Sequence, residues 1–251
     1  MSFRPCCIIP SRNHHLAVGG VVARAHACGL PVFLIDDASA EPARGVLAGL
    51  HDPASGVRVT RLEQRGGKGG AVRRGFELAA AAGFTHAVQL DADGQHDLAR
   101  LPALLAAAEN APDAVIAGEA RYDASIPRAR LWGRWLTHVS VWIETLSLDI
   151  SDSLCGFRCY PLAPSLRLCA GGKVGGFMDF DVEILVRLYW QGIEVVMFPI
   201  DVTYPVGNTS NFDVLRDNWR ITKMHTRLTL GMLPRLPMLL MRRMQRAARA
   251  S

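Results

Sequence analysis

The chain has 251 residues, 49% of them hydrophobic and 20% charged, with a net charge of +5. That profile suits one large soluble domain, or two small ones, with a real core. The basic excess is too small to argue for nucleic acid and no recognition motif for one is present, but it suits a phosphate-bearing ligand or an anionic membrane surface. No stretch reaches the roughly 18 apolar residues of a membrane span. No signal peptide is expected from "MSFRPCCIIPSRNHH", which lacks a long apolar core. Six cysteines, none in a C-x-x-C pair, are expected to be buried, reduced thiols of a cytosolic protein.

In chain order, "CCIIP" (6–10), "PVFLIDD" (31–37), "GVRVTRL" (56–62), "HAVQLDAD" (86–93) and "DAVIAGE" (113–119) predict strands. They are short, apolar on both faces and end in polar residues, as buried parallel strands do. Between them, 16–29, 43–50, 70–82 and 98–110 predict helices, with Gly29 and Gly83 where C′ glycines belong. Pro102 falls a turn after a start capped by Asp97, so that helix begins late or kinks. Further on, 129–148 predicts an apolar helix carrying arginines, 153–161 a strand or loop, 178–192 a helix with an acidic start, and 193–205 a strand. From Asp213 the chain is helical and basic. There is no internal repeat.

Strand–helix alternation of this kind means a mostly parallel α/β sheet with right-handed crossovers, and such sheets bind ligands beyond the carboxyl ends of their strands. Ser11 and Asn13, Asp36 and Asp37, and Asp91 and Asp93 all fall at those ends.

Each motif has a chemical and a bland reading. Asp91 and Asp93, one residue apart where a strand turns, can share one hard cation such as Mg²⁺ or Mn²⁺, with Gln95 and substrate phosphates adding oxygens; otherwise they form a solvated turn closed by Gly94. The glycine-rich run "RGGKGGAVRRG" (65–75) lets Gly67 and its neighbours bring backbone amides, a helix N-terminus and Lys68 to a phosphate, or is simply a flexible loop. It is neither a Walker A motif nor a dinucleotide fingerprint. Asp36 and Asp37 can accept hydrogen bonds from a base or ribose, or cap a turn. Asp179, Asp181 and Glu183 suit a helix dipole, or one of them is a general base worth about 10²–10⁴-fold in rate. His14 and His15 lack a third zinc ligand at suitable spacing, so they predict a polar loop.

Taken in order, "IIPSRNHH", "LIDDAS", "GGKGGAVRRG", "LDADGQHD", "SLCGFR", "FMDFDVEILVRLYWQG" and "VVMFPIDVTYP" resemble family 2 glycosyltransferases, nearest the dolichyl- or polyprenyl-phosphate mannosyltransferase branch. The resemblance implies a GT-A fold and inverting transfer of a sugar from a nucleoside diphosphate donor, of UDP or GDP type, to a lipid or lipid-linked acceptor. It implies that Pro10, Ser11, Asn13, Asp36 and Asp37 hold the nucleoside, and that Gly67 and Lys68 flank the nucleotide. Asp91, Ala92 and Asp93 then meet the donor, with Mg²⁺ or Mn²⁺ held by Asp91, Asp93 and Gln95. Asp181, with Asp179 and Glu183, falls in the acceptor-side acidic motif, and Arg121, Arg130, Arg134 and Arg158 fall on the acceptor phosphate. Two departures are visible: His14 stands near a frequent family glutamate, and "VGNTSNF" after "VTYP" lacks the family's lysine.

The expected organisation is a catalytic domain over 1–212, with a nucleotide half to about 120 and an acceptor half beyond it, followed by an amphipathic, basic tail over 213–251. That tail, with Arg235, Arg242, Arg243, Arg246 and Arg249, can lie on an anionic bilayer or pack on the domain. The former places the protein in the cytoplasm, peripheral on the inner face of the cell membrane. The competing functions are a haloacid-dehalogenase-type phosphatase, a nucleotidyltransferase, and a non-catalytic nucleotide-binding protein.

Overall fold

The computed structural model describes residues 2–122, 128–203 and 213–250, and the side chains at 128–130, 247, 249 and 250 lie outside that description. Among the described residues, seven strands run in chain order as β1 (Pro5–Ser11), β2 (Val32–Asp36), β3 (Val57–Arg61), β4 (His86–Gln89), β5 (Val115–Tyr122), β6 (Arg158–Pro161) and β7 (Val195–Val202). They form one sheet in the order β3-β2-β1-β4-β6-β5-β7. Only β6 is antiparallel to its neighbours, β4 and β5; every other pairing is parallel.

Both sheet faces are covered, which explains the continuous apolar runs. Along β1, Cys6 and Ile8 enter one core layer and Cys7 and Ile9 the other, as the two-residue strand period requires. The helices are α1 (Val18–Ala27), α2 (Ala43–Gly49), α3 (Gly67–Ala81), α4 (Leu101–Asn110), α5 (Arg128–Thr145), α6 (Leu162–Ala170), α7 (Phe180–Trp190), α8 (Val214–Met232) and α9 (Leu236–Ala250). α1 and α4 supply the layer with Cys7, whereas α3, α7 and α8 supply the layer with Cys6.

Four departures from the sequence expectations matter. β4 stops at Gln89, so Asp91 and Asp93 lie on the loop after the sheet. α3 starts at Gly67, which makes the glycine-lysine run its first turn instead of a loop. A single 3-10 turn at Leu98–Arg100, capped by Asp97 accepting from Ala99 N, precedes α4, and Pro102 sits harmlessly in that helix's first turn. α6 was not anticipated from the sequence; its prolines, Pro161 and Pro164, fall where a missing N–H costs nothing.

α8 and α9 are packed onto the domain. Met224 and Leu228 are fully buried and Met232 and Leu239 nearly so, each contributing about 1.5–3 kcal/mol of apolar transfer. Arg242 donates to Tyr189 O and Trp190 O, satisfying carbonyls at the end of α7. His225 of α8 meets the buried Glu144 of α5 at 2.8 Å. Burial pushes the Glu144 carboxyl above its ordinary range, against the pull of His225. No described helix is long and apolar enough to cross a membrane.

Candidate active site

The site lies where the carboxyl ends of β1, β2 and β4 meet the N-termini of α3 and α7. Its centre is Lys68. The Lys68 ammonium lies 2.7 Å from Asp91 Oδ1 and 2.6 Å from Asp181 Oδ2. Burial works against that charge, but Asp181 and Asp91 outweigh it and hold the amine well above its usual range. Burial likewise works against the Asp91 carboxylate, and Lys68, followed by His96, holds it below the ordinary range. Asp93 goes the other way: burial first, then the charge of Asp91, raise it. Two carboxylates of one loop thus compete for too little positive charge.

Local sequence sets this geometry. Asp37 Oδ1 accepts from Gly66 N at 2.6 Å and Asp37 Oδ2 from Gly67 N at 3.0 Å, so the carboxylate takes the first amides of α3. Gly67 has φ of 76°, and a Cβ there would meet Gly176 O and the Phe177 ring. This packs α3 against the 175–179 loop and aims Lys68 inward. Gly156 is likewise required, because a Cβ on it would collide with the Asp91 carboxylate.

The predicted donor residues are brought together on one rim, with partners that revise several expectations. Pro10 and Ser11 end β1, and the buried Ser11 hydroxyl has no hydrogen-bond partner among the described residues. Asn13 adopts φ of 58°, donates its backbone N–H to Ser39 Oγ and accepts from Ala40 N. Asp36 is paired with Arg61 and accepts from Ser39 N. With Asp37 capping α3, both acids have protein partners already and shape the rim. Ala92 is buried between Asp91 and Asp93, and Gln95 N donates to Asp93 Oδ1 at 3.1 Å.

For a cation, the donor chemistry fits. Asp91 and Asp93 are hard oxygen donors, and the under-neutralised Asp93 has no lysine or arginine ion pair among the described residues. No three His, Cys, Asp or Glu side chains converge on one point among the described residues, so phosphate oxygens would have to complete the shell.

On the acceptor side the acidic motif divides. Asp181 is the member at the centre: besides Lys68, it accepts from Gln89 Nε2 at 3.0 Å. Asp179 accepts from Phe177 N and holds its own loop. Glu183 is fully buried, pairs with Arg187 and Arg227 at 2.7 and 2.9 Å and accepts from Gly175 N, so it ties α7 to α8 and has no free oxygen to act as a base. Phe177 carries Arg65 at 5.6 Å and Arg220 of α8 at 3.7 Å over its ring.

The arginines also divide. Arg158 is fully buried and spends its donors on Cys155 O, Ser153 O, Asp181 O and the Tyr160 hydroxyl, so it braces the site from beneath and does not reach an acceptor. Arg121 is exposed at the end of β5. Arg134 pairs with Asp152 at 2.5 Å and covers the Tyr122 ring. The side chain of Arg130 lies outside the described residues.

Sequence reasoning missed three residues. Gln89, a lone polar residue in an apolar strand, orients Asp181. His96 sits beside Asp91, with Nε2 3.6 Å from Cys155 Sγ. Asp152 accepts from Ala120 N, Leu154 N, Cys155 N and Arg134, fixing the loop that leads into β6. Its signal was the S-D-S turn ahead of "LCGFR".

A mostly parallel sheet with one reversed strand, and a lysine–carboxylate cluster at its rim, are the marks of a GT-A-type glycosyltransferase. The chain belongs to that class through glycosyl transferase family 2, whose model matches residues 6–162. It is 28% identical over 209 residues to the polyprenol monophosphomannose synthase of Mycolicibacterium smegmatis, covering 80% of this chain and 77% of that one. It is 32% identical over 176 residues to the undecaprenyl-phosphate mannosyltransferase of Micrococcus luteus, covering 67% and 70%. In fold it is similar to glucosyl-3-phosphoglycerate synthase from Mycobacterium tuberculosis, with a TM-score of 0.64 at 14% identity, over 92% of this chain and 80% of that one. Family membership displaces the phosphatase, nucleotidyltransferase and non-catalytic readings.

Proposed function

We propose that this glycosyltransferase moves a sugar, with inversion, from a nucleoside diphosphate donor of UDP or GDP type to a lipid or lipid-linked acceptor at a membrane surface. The observation that carries the reading is the single contact point of three elements: Lys68 from α3, Asp91 from the β4 loop and Asp181 from α7. Donor loop, diphosphate seat and acceptor helix meet there.

Pro10, Ser11 and Asn13, on the rim shaped by Asp36 and Asp37, receive the nucleoside, and the Ser11 hydroxyl, without a hydrogen-bond partner among the described residues, gains a ligand oxygen. Gly67 and Lys68 flank the diphosphate. Asp91 and Asp93, with Gln95, would hold Mg²⁺ or Mn²⁺, which supplies Lewis-acid stabilisation of the leaving diphosphate worth several kcal/mol. Lys68 turns from Asp181 to a diphosphate oxygen when the donor enters. That leaves the Asp181 carboxylate unpaired on the acceptor side, oriented by Gln89 and able to accept a proton. The names of the two curated relatives, both polyprenyl-type sugar transferases, support a lipid acceptor.

The tail suits a peripheral, cytoplasmic-face location. Leu240, Met241 and Met244 are exposed on α9 beside Arg243, and each basic residue near anionic headgroups contributes about 1 kcal/mol. The test is thermal stabilisation by UDP, GDP and their sugars with and without Mn²⁺, together with co-sedimentation on anionic vesicles. Stabilisation by one base, increased by Mn²⁺, is expected. No stabilisation by any nucleotide rejects the donor site, and equal sedimentation with neutral vesicles rejects the tail's electrostatic role.

A further inference from the structure

α5 and α8 pack against each other and against α7, nearly all of which is buried, so the two helices form an outer layer over it. They run the same way. Near the start of α5, Arg134 covers the Tyr122 ring at the carboxyl end of β5. Near the start of α8, Arg220 covers Phe177, whose ring abuts Gly67 at the turn bearing Lys68. Further along both helices, Glu144 and His225 meet. Both helices therefore start at the catalytic rim and lead away from it side by side. Their outer faces are apolar. On α5, Trp132 and Trp135 are 73% and 55% exposed, and the exposed Leu136 and Ile143 continue the stripe at helical spacing. On α8, Trp219 is 68% exposed and shares its face with the exposed Leu215, Leu230 and Leu233. An uncovered apolar face of this extent marks an interaction surface.

Charge decides what covers it. No acid follows Asp217 in the sequence, whereas eight lysines and arginines do. Arg220, Arg227 and Arg246 pair with Asp217, Glu183 and Asp149. Lys223 and Arg243 are exposed and add to the excess. A second copy seated on this face by two-fold symmetry would set one cationic α8 against another, and like charge opposes that contact. An anionic bilayer meets the same face with opposite charge. Tryptophan also suits the headgroup region, where its ring is in apolar surroundings and its N–H stays wet.

We propose that the outer face of α5 and α8 lies flat on an anionic bilayer, with Trp132, Trp135 and Trp219 at headgroup depth, and that the catalytic rim opens at the edge of this contact. The proposal rests on the membrane-surface reading above and deepens it: the body of the domain docks, and α9 adds to the hold. An acceptor held in the bilayer then approaches Asp181 along the membrane surface without leaving it. The three tryptophans position the enzyme on the membrane and take no part in the transfer.

The probes are phosphatidylcholine vesicles with and without phosphatidylglycerol, mixed with the full-length protein. With brominated lipid chains, tryptophan emission should be quenched on the anionic vesicles, and Trp132→Phe, Trp135→Phe and Trp219→Phe should each remove part of that quench. Leu136→Glu combined with Leu230→Glu places charge on the face at exposed positions that spare the core. It should weaken binding to the anionic vesicles roughly tenfold or more. Met241→Glu combined with Met244→Glu tests α9 in parallel. Binding kept by the first pair and lost by the second overturns the α5–α8 assignment while the tail's membrane role stands. No wild-type binding to either vesicle overturns both. Equal binding to neutral and anionic vesicles overturns the charge argument. A dimer in solution that the Leu136→Glu, Leu230→Glu protein loses assigns the face to a second copy and overturns the proposal. Nucleotide stabilisation with Mn²⁺ is measured on the same samples, so a failure of the donor site is seen separately.

Discussion

The Lys68 ammonium lies 2.6 Å from Asp181 Oδ2, so the residue expected to act as a base is, without donor, the buried half of an ion pair. The same ammonium neutralises Asp91. Lys68→Met should leave the buried Asp181 and the partly buried Asp91 without this counter-ion, a loss of up to about 3–5 kcal/mol, the range for removing one partner of a buried pair. A divalent cation should then substitute for it. The melting temperature of Lys68→Met is expected to rise more on adding Mg²⁺ than that of the wild type; equal rises would mean that the lysine and the cation do not share a seat.

Asp93 faces Asp91 with little compensation. Asp93→Ala should remove the Mn²⁺-dependent part of donor affinity, a loss of at least tenfold by calorimetry with the cognate nucleoside diphosphate. Unchanged affinity in the presence of Mn²⁺ would reject the metal role.

The acidic motif of α7 should split by phenotype. Glu183→Ala breaks a buried pair with Arg187 and Arg227, so it should cost about 3–5 kcal/mol in chemical denaturation. Asp181→Asn keeps the shape and should lower turnover by about 10²-fold or more while donor binding persists. Wild-type turnover in Asp181→Asn would remove it as a base.

Those phenotypes mark the limit of what the sequence could tell. Buried parallel strands advertise themselves by apolar runs on both faces, so β1, β2, β4 and β5 and the rim residues at their ends were legible, whereas β3 is an edge strand with Arg58 and Arg61 exposed and only Val57 buried, not the doubly apolar run expected. The Asp91–Asp93 pair and Lys68 were legible as chemistry. That Asp37 caps α3, or that Lys68 reaches Asp181, depends on residues about 30 and 113 positions apart and on packing that no local pattern encodes. Arg158 misled because an arginine after Gly-Phe looks available to a ligand, and only the fold shows it buried at the start of β6. α6 escaped because Pro161 just before its start and Pro164 in its first turn resemble a loop until the helix boundary is known.

Glu144 gives a pH signature away from the catalytic centre. Its folded pKa is raised, chiefly by burial, so the native state holds that proton more tightly than the unfolded chain. Stability from this group is therefore fully present below the ordinary glutamate value of about 4.3 and declines as pH rises toward the folded pKa. Glu144→Gln cannot pay that charging cost. The difference in melting temperature, variant minus wild type, should be more positive at pH 7 than at pH 4. A difference independent of pH would show that His225 fully compensates the carboxylate.

Phe177 carries a guanidinium from Arg65, ahead of the lysine turn, and another from Arg220, far along the C-terminal tail. Homologue grafting therefore has a hidden dependency. A chimera that exchanges everything beyond 212 inherits a new neighbour for this ring, and with it a new setting for the loop bearing Asp179. Tail swaps between relatives would retune sugar transfer itself, even where the anchoring behaviour of donor and recipient is the same.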